Sequence, residues 1–373
     1  MVPDKQGGAR ILTSISQLHR TSPEVALCRF LKDDGLRPIV VAPQAGNVEN
    51  LTAEGAEVLV LPGINRWRNL KWRLLSPWLI GKLASIASHN NVKLVHAARL
   101  SVTPFAVKVA QRIHRPAISH IHGLPGESSK FTRYLVEQAD AVVGVSRAAL
   151  ANYSPVTGQQ VKVIYNGLDI ERFCSQANEF DIREKYKITG NPLLGISGAY
   201  HLKGLDLIVE AAPTITQQFP QAQFIVLGNF RGRDYQEQIE RRLNLLKLTE
   251  HFIFAGAQEN VAPFMAAADL WLVPSRVDAA PMVALEAMSL GKAVVGSDVG
   301  GIPELVRDGK DGLIVPREDP GALAKVVCNL LADKIQLQLL GEAAKARVKQ
   351  EFSTEVFNCQ MGALYDALLG GER

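Results

Sequence analysis

Leu270-Trp271-Leu272-Val273-Pro274-Ser275-Arg276-Val277-Asp278-Ala279-Ala280-Pro281-Met282-Val283-Ala284-Leu285-Glu286-Ala287-Met288-Ser289-Leu290-Gly291-Lys292-Ala293-Val294-Val295 holds a strand, a loop, a helix and a second strand in one stretch. Leu270–Val273 is a short apolar run stopped by a proline, as a buried strand is. Ala284–Leu290 has helical patterning, and Pro281 suits the first helical turn, where a missing N–H costs nothing. Ala293–Val295 then returns to β-branched residues. Two strands joined through a helix form a parallel crossover.

The same alternation runs through the rest of the chain. Ile11–Ile15, Pro38–Ala42, Val58–Leu61, Leu94–Ala97, Ala117–Ile121 and Ala141–Val145 read as strands of a first half, with a helix over Pro23–Asp34. Leu193–Ile196, Phe224–Leu227, Phe252–Phe254 and Gly312–Val315 join the two strands above in a second half, with helices over Asp206–Phe219 and Tyr235–Leu246. The polar, weakly patterned Ser175–Gly190 reads as a linker. The pattern predicts an α/β protein with two Rossmann-like, doubly wound parallel-sheet domains facing a central cleft, with ligands beyond the carboxyl ends of the strands.

Composition sets the outer limits. The chain has 373 residues, enough for two cores, with 47% hydrophobic and 21% charged residues, which excludes a disordered or fibrous protein. Its four cysteines, at 28, 174, 328 and 359, include no close pair, so the sequence offers neither a zinc cluster nor a redox motif and fits a reducing cytoplasm. No apolar run approaches the roughly 20 residues that cross a bilayer, and no secretory signal is visible.

The net charge of +4 hides an asymmetry. Residues 1–165 hold 20 Lys+Arg against 10 Asp+Glu, while residues 166–373 hold 21 against 27. Between Glu57 and Glu127 there are 10 basic residues and no acidic one. Within that stretch, Arg66, Trp67, Arg68, Lys71, Trp72, Arg73 and Trp78 gather three of the four tryptophans of the chain. Cations interleaved with indoles suit the surface of an anionic membrane, where indoles sit at headgroup depth. A solvated basic helix with its tryptophans in the core fits the same residues. No nucleic-acid-binding motif accompanies the patch, so nucleic acid is not expected as a partner.

Three loops could carry chemistry. Asp278 falls before the helix and Glu286 about two turns into it, so the two carboxylates could grip two ends of an extended ligand, with a phosphate at the helix start between them. Asp278 as a mere cap and Glu286 facing solvent fit the spacing equally. Gly296-Ser297-Asp298-Val299-Gly300-Gly301-Ile302-Pro303-Glu304 offers a glycine pair through which a ligand could approach the backbone, or a plain turn. Lys203, in Tyr200-His201-Leu202-Lys203-Gly204, would project from the sheet rim, where it could neutralise a diphosphate or simply be solvated.

In this order and spacing the segments resemble the C-terminal half of glycosyltransferase family 4, the retaining group 1 enzymes of GT-B fold. The likeness includes Asp140–Ser146, Val163–Asp169, Lys203-Gly204, Phe254–Gly256, Asp278 and Glu286 with seven residues between, and Gly300–Glu304. The resemblance implies a metal-independent, retaining, hexosyltransferase-like transfer from a UDP-, GDP- or ADP-sugar, without a cofactor. It implies that Glu286 holds the ribose, that Asp278 contacts the donor sugar, and that Lys203 meets the diphosphate. The amides of Met282, Val283, Gly300 and Gly301 would lie close by, and His122 would face the donor sugar from the first domain. A histidine merely satisfied at a strand end remains the other reading of His122. The N-terminal domain, 1–165, would bind the acceptor, a glycan or lipid-linked molecule. Residues 166–351 would bind the nucleotide sugar, and the helix within 352–373 would pack back on the first domain. Together with the basic patch this implies a cytoplasmic enzyme peripheral to the inner membrane face, in polysaccharide or lipopolysaccharide synthesis.

The sequence departs from the pattern in three places. The first acidic residue is Asp278 rather than the commoner glutamate. An arginine often found shortly before the lysine is replaced by Gly198-Ala199-Tyr200-His201, leaving His201, Arg231 or an N-terminal residue to take its place. The glycine pair often found after the first strand is absent. The alternatives are therefore a non-catalytic subunit of this fold, or an epimerase or hydrolase using the same pocket. A nicotinamide dehydrogenase is disfavoured because no Gly-x-Gly-x-x-Gly opens either half.

Overall fold

The computed structural model describes residues 10–14, 27–29, 31–32, 35–42, 51–52, 55–60, 70–124, 134, 136–151, 153 and 157–370, apart from the side chains of 10, 14 and 70–76. It divides into two compact units, one of residues 1–167 with 355–373 and one of residues 168–354.

The first unit is built from β1 (Arg10–Ser14), β2 (Arg37–Ala42), β3 (Glu57–Val60), α1 (Leu70–His89), β4 (Val92–Ala97), α2 (Thr103–Ile113), β5 (Ala117–Ile121), β6 (Ala141–Gly144), α3 (Arg147–Leu150) and β7 (Gln160–Val163). The strands form one parallel sheet in the order β3-β2-β1-β4-β5-β6-β7. Side chains alternate across a strand, so neighbouring residues serve opposite faces. Leu12, Ile39, Val41 and Val95 pack with Leu79, Leu83 and Ala87 of α1 and with Phe105 and Val109 of α2. On α1 those three residues recur at every fourth position, the stripe that a helix buries. Ile11, Leu94, Ile118 and Val143 face the other way, onto Phe357, Met361, Leu364 and Tyr365 of the C-terminal helix (Thr354–Leu369).

The second unit runs α4 (Ile170–Ser175), α5 (Ile182–Lys185), β8 (Leu193–Ser197), α6 (Leu205–Gln218), β9 (Gln223–Leu227), α7 (Arg233–Leu246), β10 (Phe252–Gly256), α8 (Ala262–Ala267), β11 (Leu270–Val273), α9 (Met282–Ser289), β12 (Ala293–Ser297), α10 (Ile302–Leu305), β13 (Leu313–Val315), α11 (Pro320–Ala332) and α12 (Lys334–Glu351). Its six strands are parallel in the order β10-β9-β8-β11-β12-β13. The chain first builds outward from β8 and then returns to β8's other side at β11. The crevice beyond the β8 and β11 carboxyl ends is therefore the switch point, where open α/β sheets bind ligands.

Three details differ from the sequence expectation. Ser175–Gly190 is not a free linker: Ile182 is buried, and Arg183 donates to the Gly190 and Ala267 carbonyls and to Asp269, tying the segment to the second unit. The edge strand β7 is added, its Gln-Val-Lys-Val too short and polar to stand out. Pro281 sits at the N-cap of α9 in extended geometry instead of in its first turn, and Glu286 is the fifth residue of that helix, little more than one turn in. The helix expected over Pro23–Asp34 lies largely outside the described residues, as does the loop after β1.

Candidate active site

The β8 and β11 loops interlock at the switch point. The Arg276 amide donates to the Leu202 carbonyl at 2.9 Å, and the Ser297 hydroxyl at the end of β12 donates to the Ser275 carbonyl at 2.6 Å. Gly204 has φ +73°, and a Cβ there would lie 2.1 Å from the Pro274 carbonyl oxygen, so only glycine allows the Lys203 turn to seat on the end of β11.

The turn is also clamped through side chains. The Arg276 guanidinium forks onto both Asp206 carboxylate oxygens at 2.8 and 2.7 Å, caps the His201 carbonyl at 2.6 Å and reaches Glu318 at 2.7 Å. Tyr235 donates to Asp206 at 2.9 Å. Burial pushes the Asp206 carboxyl up, but Arg276 and Tyr235 outweigh it and hold the group below the usual carboxylate range. Arg276 and Asp206 are thus fixed as an ion pair, and with them the backbone on either side of Lys203.

Lys203 and Asp278 come together: the ammonium donates to Asp278 Oδ2, which also accepts from the Ser275 hydroxyl at 3.4 Å. Glu286 is 6% exposed, and no described side chain donates to its carboxylate. Burial alone raises it to about 7. Carboxylates left in this condition carry a cost unless a ligand supplies donors. Met282 and Val283 open α9, whose first amides have no acceptor within the helix. Gly300 follows with φ +56°. The Gly301 amide donates to the Asp278 carbonyl at 3.1 Å, which ties the glycine pair to the Asp278 loop.

In the first unit, His122 follows the end of β5. Its ring lies tilted against His120 at 4.2 Å between ring centroids, and His120 stacks on His96 at 5.4 Å. His96 Nδ1 pairs with the Tyr365 hydroxyl at 2.6 Å. The edge of His122 still reaches the surface, but burial, then the charges of Arg99 and His96, lower it to about 3 and keep it neutral at pH 7. His122 is therefore the outer member of a row of three imidazoles at the end of β5.

Of the basic patch, Arg66, Trp67 and Arg68 lie outside the described residues, and Lys71, Trp72 and Arg73 sit on α1 with undescribed side chains. Trp78, one turn further, is 66% exposed with the Lys82 ammonium 5.4 Å from its ring centroid, so this indole is not in the core. Among the described residues no helix is long and apolar enough to cross a membrane, and no group of three His, Cys, Asp or Glu is placed to hold a metal ion.

The sequence did not reveal the Asp206–Arg276–Tyr235 clamp or the His96–His120–Tyr365 support. Arg276 lies within the quoted Leu270–Val295 stretch and Asp206 two residues beyond Gly204, but nothing in their spacing pairs them.

Two parallel α/β units with donor-type loops at a switch point define a GT-B glycosyltransferase. Glycosyltransferase Family 4 matches residues 25–172 and Glycosyl transferases group 1 matches residues 191–333, and the chain belongs to this family. It is 25% identical to N-acetyl-alpha-D-glucosaminyl L-malate synthase of Bacillus anthracis over 79% of this chain and 80% of that protein. It is 26% identical to a lipopolysaccharide core biosynthesis mannosyltransferase of Rhizobium leguminosarum, over 83% and 85% of the two. The structure of Anabaena HepE in complex with UDP superposes with a TM-score of 0.82 at 22% identity, covering 96% of this chain and all of that one.

Proposed function

We propose that this glycosyltransferase moves a sugar, with retention and without a metal, from a nucleotide-diphosphate sugar to a lipid-linked or polysaccharide acceptor at the cytoplasmic membrane face. The observation that carries the reading is the switch-point constellation: Lys203 and Asp278 in contact, beside a helix that buries a carboxylate to which no described side chain donates. Glu286 accepts the two ribose hydroxyls, replacing with hydrogen bonds the solvation it has lost. Asp278 turns from Lys203 to the donor sugar hydroxyls, and Lys203 to the diphosphate. As the bond from anomeric carbon to phosphate oxygen breaks, charge builds on the diphosphate, where Lys203 and the first amides of α9 stabilise it. The acceptor hydroxyl attacks from the face the diphosphate leaves, and its proton passes to that departing phosphate. Neutral His122 serves as a hydrogen-bonding partner for the donor sugar.

The membrane part rests on the Arg66–Trp78 segment, the exposure of Trp78, and a relative named for lipopolysaccharide core synthesis. The relative named N-acetyl-alpha-D-glucosaminyl L-malate synthase favours a second reading, a small soluble acceptor. A thermal-shift screen of UDP-, GDP- and ADP-sugars followed by transfer assays tests the core reading: Lys203→Ala and Glu286→Ala lose transfer while staying folded, and full activity in either refutes the site. Co-sedimentation with anionic vesicles decides the acceptor side. Wild type pellets and a Trp67/Arg68/Trp72 triple alanine variant does not; wild type left in the supernatant favours the soluble acceptor.

A further inference from the structure

A nucleoside diphosphate brings at least two negative charges, and Lys203, the cation at the switch point, already shares its charge with Asp278. Among the described residues, the neighbouring arginines are committed elsewhere: Arg276 binds Asp206, Glu318 and the His201 carbonyl, and Arg233 pairs with Glu237. Arg231 differs. It is exposed, and no described side chain forms an ion pair or hydrogen bond with it. Its guanidinium carbon lies 4.2 Å from the centroid of the Tyr200 ring.

That placement puts Arg231 beside Lys203. β8 and β9 are neighbours, with Ser197 opposite Leu227, so the loops carrying Tyr200 and Arg231 leave the sheet side by side. A Cβ built on Gly228 would lie 3.5 Å from the Cα of Gly198, showing how close the two loops run. A Cβ built on Gly198 would meet Lys203 Cγ at 2.6 Å and Tyr200 Cε1 at 3.1 Å. The lysine stem and the tyrosine ring thus converge on one point, and the guanidinium lies against that ring. Stacking covers the face of a guanidinium and leaves its N–H edge free, the geometry that receives two phosphate oxygens at once.

We propose that Arg231 is the second cation of the donor-diphosphate site, with Tyr200 as the residue that positions it. The proposal rests on the nucleotide-sugar reading above. Calorimetric titration of the full chain with UDP, GDP, ADP and the matching nucleosides tests it. For whichever diphosphate wild type binds, Arg231→Ala weakens binding about tenfold to a hundredfold, as loss of a charge-assisted contact does. The matching nucleoside is affected less than about threefold if only the phosphate contact is lost. Tyr200→Phe keeps the platform and stays close to wild type, while Tyr200→Ala approaches Arg231→Ala. Unaltered ligand-free melting in Arg231→Ala excludes a folding effect. If Lys203→Ala loses the diphosphate but Arg231→Ala keeps it, the Arg231 assignment is overturned and the donor reading stands. Equal loss of diphosphate and nucleoside in Arg231→Ala also overturns it. If wild type binds none of the three diphosphates, the donor reading falls first.

Discussion

Replacing Glu286 by glutamine should make the ligand-free protein more stable as pH rises, while impairing nucleotide binding. Burial lifts this carboxyl from its ordinary 4.5 to about 7. Between those values the folded protein keeps a proton that the unfolded chain releases, so wild-type stability falls with each pH step and levels off above about 7. At about 1.4 kcal/mol per pH unit, that interval costs wild type about 3 kcal/mol, a cost glutamine does not incur. Below about pH 4.5 both forms are neutral and the pH-dependent difference vanishes. For a domain of this size the variant's melting temperature should gain about 6–12 °C on wild type between pH 4.5 and pH 8. Calorimetry or circular dichroism across that range reads it directly. A saturating nucleoside diphosphate should narrow or reverse the gap at pH 8, because only the ionised carboxylate accepts both ribose hydroxyls. A melting difference that stays constant from pH 4.5 to 8 refutes the reasoning, since Glu286 would then not titrate in the folded protein.

Three further changes probe the scaffold. Tyr365→Phe strands His96 Nδ1 in the core and should cost about 1–3 kcal/mol in denaturant unfolding, most of it recovered when His96 is also made phenylalanine; no cost would show that their contact contributes nothing. Arg276→Ala frees the Lys203 turn, should cost about 2 kcal/mol and should weaken nucleoside diphosphate binding. Lysine should not rescue it, because the fork onto Asp206 needs a guanidinium; full rescue would make the pair a simple charge contact. A Cβ at residue 195 would lie 1.9 Å from the Trp271 ring, so Gly195→Ala should cost about 1–3 kcal/mol or more, relieved by Trp271→Phe. Unchanged melting of Gly195→Ala would mean that the ring has room to move.

The sheet strands were largely legible because each central one is an apolar run with polar punctuation, as burial on both faces requires. β7 was not, because an edge strand of four residues, half in solvent, leaves too little pattern. Ser175–Gly190 misled for the opposite reason: its order comes from Arg183 and Phe180 gripping residues of α8 and its surroundings, contacts that polarity cannot announce. At the site, residue types and spacing indicated Lys203, Asp278 and Glu286 singly. That Lys203 and Asp278 touch, and that the Gly301 amide serves the Asp278 loop, depends on how three loops fold over two strand ends. The Tyr365–His96 pair spans 269 residues of chain and has no local signal.

That long span bears on how the protein is made. Residues 168–354 are one continuous piece of chain and can close their own core as soon as they leave the ribosome. The face of the first sheet that holds Ile11, Leu94 and Ile118 has to wait for Phe357, Met361 and Tyr365. Throughout synthesis of the second unit, the older half of the chain carries an apolar sheet face covered only in part, by Leu27 and Leu31, and a His96 without its tyrosine partner. Translation speed across the second half therefore sets how long that surface is open to chaperones and to aggregation.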